Sequence, residues 1–349
     1  MPLHVGILGC GLMGQRHAAG YHNLPERATI IYCCDDREDA ARALAQRSGD
    51  NIRVTTRWQD VIDDPAVEAV SVCMPHHLHA PVVLAALAAG KHILLEKPMA
   101  MNLAEARAMV EAADRAGRVL MVAQNQRYLP EHTHIKTLLD EGTIGRVFAA
   151  RIDGNQLLSR IYPPGHWLFS KATAGGGVIR TTAIHKFDLM RYFIGEIRRV
   201  AAFQKISGLN PGMDCEDVAV ILMEFENGAV GEAFFTFAAQ RAPIPTATGE
   251  LTALYGDAGM IHNVGGWHVY SSRVEKYSGG MTHLGLPNAD YAATFLNEVR
   301  HFVDCIESGT EPLSSGRDNL NTMAVIEAIY QSIDTGQAVT VEKQNPPNP

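Results

Sequence analysis

The chain has 349 residues, 46% of them hydrophobic and 19% charged, which excludes a disordered or coiled-coil protein and suits two folded domains. Its 30 Lys and Arg against 38 Asp and Glu leave a formal charge of −8, a surface that repels phosphate backbones, so no nucleic-acid partner is expected. The six cysteines (Cys10, Cys33, Cys34, Cys73, Cys215 and Cys305) make no C-x-x-C pair and read as reduced thiols. With no basic leader and no apolar run of membrane-spanning length, the expectation is a soluble, cytoplasmic protein with no membrane partner.

In chain order, Leu3 to Leu8 is a short apolar strand broken by Gly9, Gly11 and Gly14, and Gln15 to Leu24 follows as a helix. Thr29 to Cys34, Ile52 to Thr55, Ala69 to Met74, His92 to Leu95 and Val119 to Ala123 are further strands. Between them, Glu38 to Arg47, Trp58 to Ile62, Ala80 to Ala89 and Leu103 to Ala116 are helical, with Gly90 and Gly117 at C-cap positions. Strict alternation of apolar strands with helices implies a parallel sheet covered on both faces.

Beyond Asn125 the rhythm changes. Arg146 to Asn155, Arg199 to Ile206, Val218 to Glu226, Ala229 to Phe237 and Glu250 to Tyr255 read as strands, two of them joined by a hairpin turn at Glu226 to Ala229. Ile184 to Phe193, Tyr291 to Ile306 and Asn319 to Ser332 read as helices. The fold class expected is therefore α/β, with a parallel-sheet domain over 1–125 and an α+β domain with a largely antiparallel sheet over 126–343. Residues 344–349 read as a flexible tail.

Gly9-Cys10-Gly11-Leu12-Met13-Gly14 is a G-x-G-x-x-G turn between a strand and a helix, with Asp35 placed to accept from ribose hydroxyls. The helix N-terminus offers N–H groups to a pyrophosphate. Asp35 favours NAD over NADP, because its charge repels a 2′-phosphate, whereas Arg37 could answer one. Met74-Pro75-His76-His77-Leu78-His79 follows a strand at the edge where such folds hold ligands. Its histidines lack a spaced carboxylate or thiolate, so no metal is expected and packing beside the cofactor is the better reading. Glu96-Lys97-Pro98 closes the next strand at the same edge, where the lysine is either a surface residue or a functional one.

Together and in this order, these motifs resemble the Gfo/Idh/MocA family of sugar and cyclitol oxidoreductases. Ala89 to Pro98 is similar to its most recognisable segment, Arg127-Tyr128 to its Arg-aromatic pair, and Gly175-Gly176-Gly177 with His185 and Asp188 to its second-domain motif. His301 to Asp304 and Ser332 to Val339 match its C-terminal pattern. The resemblance implies a Rossmann domain joined to an open, mostly antiparallel sheet through which members associate as homodimers or homotetramers. It implies that Lys97 hydrogen-bonds the reacting hydroxyl and that His185 is the general base, a role suited to imidazole.

It further implies NAD (with NADP possible) at Gly9, Gly11, Leu12, Met13, Gly14, Asp35, Arg37, Met74, Pro75, His76, His79, Glu96, Lys97 and Asn125. The polyol or sugar substrate falls to Arg127, Tyr128, His166, Trp167, Arg180, Thr181 and His185. Thr181 stands where the family usually carries aspartate; its hydroxyl can bond substrate or relay a proton, but adds no negative charge. With Arg180 and Lys186 flanking the motif, and Arg127 and Lys171 adding to the field, one reading gives the substrate an anionic group; in the other, Arg180 points away, pairs with a surface acid and says nothing about the substrate. The reading that results is an NAD(P)-dependent dehydrogenase acting on a secondary alcohol. Its alternatives are a glycoside-cleaving enzyme that oxidises transiently and eliminates, and a redox-silent NAD-binding regulator.

Overall fold

The structure, a computed structural model, describes residues 1–240, 250–286 and 291–344. It divides into two compact units, Met1–Tyr128 with Tyr291–Leu320, and Leu129–Asp290 with Asn321–Pro349.

The first unit is built on a six-stranded parallel sheet of β1 (Leu3–Leu8), β2 (Ala28–Cys34), β3 (Arg53–Thr55), β4 (Ala69–Val72), β5 (His92–Leu95) and β6 (Leu120–Val122). The strand order is β3-β2-β1-β4-β5-β6. Helices α1 (Leu12–His22), α2 (Glu38–Ser48), α3 (Trp58–Ile62), α4 (His79–Ala88) and α5 (Leu103–Ala116) make the crossovers. Every residue of β4 is buried, as both-face burial of a parallel sheet requires. Helix α5 shows local sequence logic at both ends: Asn102 caps it by accepting from the Glu105 N–H, and Gly117 ends it in the left-handed conformation at φ 58°.

The strand register decides where chemistry can sit. Leu8 pairs with Cys34 and with Val72, Val72 with Leu95, and Leu95 with Val122, so five strands end in one row. The strand order reverses between β1 and β4, which opens a crevice at the carboxyl edge.

The second unit carries α6 (Pro130–Asp140), β7 (Val147–Asn155), α7 (Lys171–Ala174), α8 (Ile184–Ile194), β8 (Ile197–Lys205), β9 (Val218–Phe225), β10 (Val230–Thr236), β11 (Glu250–Gly256), β12 (Gly259–His262), β13 (His268–Ser271) and β14 (Thr282–His283). With β15 (Val339–Thr340) these make a nine-stranded sheet in the order β14-β13-β12-β11-β7-β10-β9-β8-β15. It is antiparallel except where β10 runs parallel to β7. Phe187 of α8 meets Phe235 edge-on at 5.8 Å on the covered face. The opposite face shows Phe203, Val220, Leu222, Val230 and Phe234 to solvent. No helix among the described residues is long and apolar enough to cross a membrane.

Two helices complete the chain, α9 (Tyr291–Ser308) and α10 (Gly316–Thr335). Here the domain expectation needs correcting: a second domain continuous over 126–343 does not allow for Tyr291–Leu320, which joins the first unit. The reason is packing. Gly20 of α1 has no side chain, and α9 closes over it so tightly that a Cβ there would lie 2.7 Å from Val299 Cγ2. The buried Val299, Phe302 and Val303 then share a core with Val5, Ile7, Ala18 and Tyr21. Of the expected tail, residues 345–349 lie outside the described residues.

The Gly20 contact gives a stability prediction. Gly20→Val forces methyl groups into Val299 and should destabilise the protein by about 1–3 kcal/mol, the usual range for overpacking. Thermal and urea unfolding measure it; an unchanged midpoint would mean that α9 docks without this close approach.

Candidate active site

The glycine turn shows in its geometry what each glycine does. Gly9 has φ +94°, and a Cβ on it would lie 2.3 Å from the Cys73 carbonyl oxygen at the end of β4. Gly14 lets α1 lie against the turn, since its Cβ would sit 1.9 Å from the Gly9 carbonyl oxygen. Gly11 differs from both: a Cβ there meets nothing within 4 Å. Two glycines thus serve close packing and the third opens the turn, a cradle that fits a pyrophosphate held at a helix N-terminus.

Asp35 follows β2 in the same row of strand ends. Its Oδ2 accepts from the Cys10 N–H at 2.7 Å and its Oδ1 from the Arg37 N–H at 3.0 Å, so the turn itself orients the carboxylate. Burial holds its pKa above the ordinary carboxylate value, with these two N–H groups opposing the shift in part. The Arg37 guanidinium, the candidate partner for a 2′-phosphate, instead pairs with Asp39 at 2.8 Å.

The β5 edge holds a buried carboxylate. Glu96 Oε1 lies 3.2 Å from His17 Nε2 of α1, and Oε2 accepts from the Lys97 backbone N–H at 3.2 Å. Burial pushes the Glu96 carboxyl up, but the His17 hydrogen bond and the charges of His17 and Lys97 outweigh it and hold it below its ordinary value. Burial lowers the pKa of the half-buried Lys97 ammonium, and Glu96 works against that shift. Behind this pair stands Glu298 of α9, fully buried, neither carboxyl oxygen having a hydrogen-bond partner among the described residues. Burial, then the Glu96 charge, push its pKa well above the ordinary value, which disfavours its ionised form. Neither His17 nor Glu298 was visible to motif reading. The available signal was a glutamate on the apolar stripe of α9, between Phe295 and Phe302.

The remaining expected cofactor residues sit where the register puts them. Met74 and Pro75 follow β4, and His76 is buried 5.6 Å, ring to ring, from His79. Both nitrogens of the fully buried His79 face backbone carbonyls rather than the crevice. Asn125 opens the short helical turn after β6 and is buried. Leu12 and Met13 form the first turn of α1, Leu12 being exposed. Among the described residues no group of three or more His, Cys, Asp or Glu could hold a metal ion.

Several substrate-side expectations are redirected by tertiary contacts. Arg127 is buried, donating to the Leu313 carbonyl at 2.7 Å and to Asp318 Oδ2 at 2.7 Å, and the Tyr128 hydroxyl lies 2.9 Å from Ser314 Oγ. Both residues clasp the 313–318 segment within the first unit. In the second unit, Arg180 points at Glu327 (3.2 Å) and lies over the Tyr330 ring, 5.3 Å from its centroid. Lys186 is buried against Glu250 at 2.7 Å. The positive field on which the anionic-substrate reading rests is thus answered at three of its four residues.

The segment that carries Thr181 is not extended. Ile179–Ala183 is a single π-helical turn leading into α8, and the Thr181 hydroxyl donates to the Gly177 carbonyl at 2.7 Å. Glu216 Oε1 accepts from the Gly177 N–H, the Ile179 N–H and the Tyr330 hydroxyl, which locks the start of the turn. His185 follows in the first turn of α8, half-buried. His166 stacks on Tyr162 at 4.3 Å and tilts against Trp167 at 5.6 Å, forming a half-buried aromatic shelf.

The comparisons with known proteins agree with this architecture. Residues 3–124 match the model of an oxidoreductase family with an NAD-binding Rossmann fold, and residues 132–262 match the GFO/IDH/MocA C-terminal domain. The chain is 30% identical to 1,5-anhydro-D-fructose reductase of Ensifer adhaerens, covering 97% of this chain and 98% of the relative. The chain belongs to the Gfo/Idh/MocA family. It is also 28% identical to D-apiose dehydrogenase of Paraburkholderia graminis, over 96% of this chain and 89% of that protein. The solved structure of a levoglucosan dehydrogenase in complex with NADH and levoglucosan superposes with a TM-score of 0.88 at 28% identity, covering 98% of this chain and 100% of that one. As a family member the protein is an oxidoreductase whose cofactor is NAD, and neither the elimination nor the redox-silent alternative is favoured.

Asp35 and Arg37 set a prediction for cofactor choice. NAD(H) should bind more tightly than NADP(H), and Asp35→Ala should weaken NAD(H) while narrowing the difference. Calorimetric titration of both cofactors tests this; equal affinities in the wild type would show that Arg37 leaves Asp39 to answer the 2′-phosphate.

Proposed function

We propose that this oxidoreductase oxidises a secondary alcohol of a neutral sugar, sugar derivative or cyclitol, with Lys97 and His185 acting on the reacting hydroxyl. The observation that carries the reading is the alignment of strand ends that puts the glycine turn, Asp35 and the Glu96-Lys97 pair on one sheet edge. The pairing of Arg180, Lys186 and Arg127 with acids favours a neutral substrate over an anionic one. Relatives named for apiose, anhydrofructose and levoglucosan support the same class.

NAD, held by the glycine turn and Asp35, would supply the acceptor for the hydride that leaves the carbinol carbon. Lys97 donates to the hydroxyl oxygen and stabilises the negative charge that grows there as the C–H bond breaks. His185 takes the hydroxyl proton on a ring nitrogen, leaving a carbonyl. Thr181 contributes no charge; its hydroxyl holds the π-turn that leads into His185. The shelf of Tyr162, His166 and Trp167 offers ring faces to the apolar side of a sugar ring, with His166 neutral because burial lowers its pKa.

The exposed apolar face of the nine-stranded sheet supports a second copy of this chain as the physiological partner. Leu222 (55% exposed) and Val230 (55%) line a hollow of about 830 Å³ over β7 to β11, and Phe203 (75%) stands exposed on β8. Cross-strand Arg199–Glu224 and Arg151–Glu232 pairs supply a polar surround. Six free cysteines fit a cytoplasmic setting, where thiols stay reduced.

The deciding experiment incubates the enzyme with NAD⁺ and a panel of neutral sugars, anhydrosugars, inositols and matched uronic acids, following nicotinamide absorbance. Turnover is expected with neutral members and no preference for the acids. NAD binding without any reduction across the panel would revive the redox-silent reading. Lys97→Ala should lower kcat by about 10²–10³ while NAD affinity holds. Because only protonated Lys97 brings positive charge to the developing oxyanion, kcat should fall as pH rises through its depressed pKa, on the acid side of an ordinary lysine at about 10.4. For the sheet face, Leu222→Glu should shift the sedimentation profile toward monomer; a monomeric wild type would sink the partner assignment.

A further inference from the structure

His79 opens α4, is fully solvent-inaccessible, and lies between two turns of the cofactor edge. Its Nδ1 is 2.8 Å from the Pro98 carbonyl oxygen, and its Nε2 is 2.8 Å from the Met74 carbonyl oxygen. Met74 belongs to the turn after β4; Pro98 follows Lys97 directly in the turn after β5. A carbonyl only accepts, and a neutral imidazole has one N–H and one lone pair. Neutral His79 can therefore bond one of the two carbonyls, while its other nitrogen presents a lone pair to an oxygen at hydrogen-bond distance. The imidazolium bonds both. Turning the ring over would set C–H groups against both oxygens and forfeit both bonds.

We propose that His79 is a positioning residue for Lys97 that works through its proton count: as the imidazolium it ties the Met74 turn to the Pro98 turn, and as the neutral ring it ties only one. The tie matters because a hydrogen-bonded Pro98 carbonyl restrains Pro98, the residue bonded to Lys97, and sub-ångström placement of a donor governs rate. The charged group acting on His79 is Glu96 at the end of β5, and the titratable ring beside it is His76, 5.6 Å away. Burial, the largest influence, draws the His79 pKa below its ordinary value, against the upward pull of the Met74 and Pro98 carbonyls, of the Glu96 charge and of the Met99 backbone. The full tie therefore holds on the acid side, and one bond is lost as pH rises through that lowered pKa.

The inference rests on Lys97 acting at the substrate, so its test includes a measurement that needs no turnover. Protein labelled with ¹⁵N-histidine, without substrate or cofactor, is titrated between about pH 5 and pH 8 while the ring nitrogens are observed. His79 is assigned by the resonances missing in His79→Gln. Two protonated, hydrogen-bonded ring nitrogens are expected at the acid end, with one N–H lost on the way to the alkaline end. A step in kcat should occur at the same pH and vanish in His79→Gln, which has one donor nitrogen and does not titrate. His79→Phe, with no donor, should lower kcat on the order of 10²-fold, with KM little changed. A His79 ring that stays neutral across the range, or a kcat step that survives in His79→Gln, overturns the proposal. If the variants fail to fold, the wild-type ring is assigned instead by through-space contacts of its ring protons to protons of Met74 and Pro98, the residues whose carbonyls it faces, and its titration decides the matter. Failure of Lys97→Ala to affect kcat, with the ring titration intact, would count against the role of Lys97 and leave the tie standing.

Discussion

A carboxylate in a protein interior remains ionised only when hydrogen bonds and opposite charge replace the water it gave up, and Glu96 meets that condition at the end of a buried parallel strand. One oxygen takes the His17 ring from α1 and the other takes the backbone N–H of Lys97. Helix, strand end and turn are thereby joined at one charge. The same charge bears on Lys97, opposing the loss of its proton through burial, and on Glu298, where it disfavours a second buried anion. Removing Glu96 would leave His17 buried without its acceptor and withdraw support from the Lys97 ammonium.

The second unit handles charge in a different way. Its buried cations are each matched with an acid: Arg180 with Glu327, Lys186 with Glu250, Arg191 with Glu196 at 2.7 Å. These pairs orient structure rather than add much stability, because desolvating both partners offsets most of their attraction. Glu216 extends the pattern to neutral donors, gathering two backbone N–H groups and the Tyr330 hydroxyl at the mouth of the π-turn. The close quarters explain the glycine at 177, whose Cβ would meet the Glu216 carbonyl oxygen at 1.7 Å. A threonine at 181 fits this setting, since its hydroxyl has the Gly177 carbonyl as acceptor within the same turn.

Much of the first unit was legible residue by residue. Strand β5, helix α3 and helix α5 begin and end where the apolar runs and Gly117 place them. Helix α1 starts at Leu12, three residues before the expected Gln15, because the glycine turn is already helical at its end. The second unit was read less completely. Helix α6 and strands β12 to β14 escaped notice, the strands being only two to four residues long and too short to show a period. The π-turn escaped for a related reason: five residues of irregular helix carry no sequence period of their own.

What the sequence determined by itself were features whose cause is local. A glycine turn between strand and helix, an acid at the next strand end and a Glu-Lys-Pro turn each follow from backbone geometry or from a period of a few residues. Only the tertiary structure decided which charges act and which are neutralised. Arg180 and Glu327 are 147 positions apart, and Arg127 and Asp318 are 191 apart, so nothing near either arginine announces its partner. The docking of α9 onto Gly20 and the burial of Glu298 are of the same kind. So is His79, which reads as one histidine of a cluster until the strand register sets two carbonyls against its ring. Electrostatic character depends on distance and desolvation, and both are properties of the folded chain.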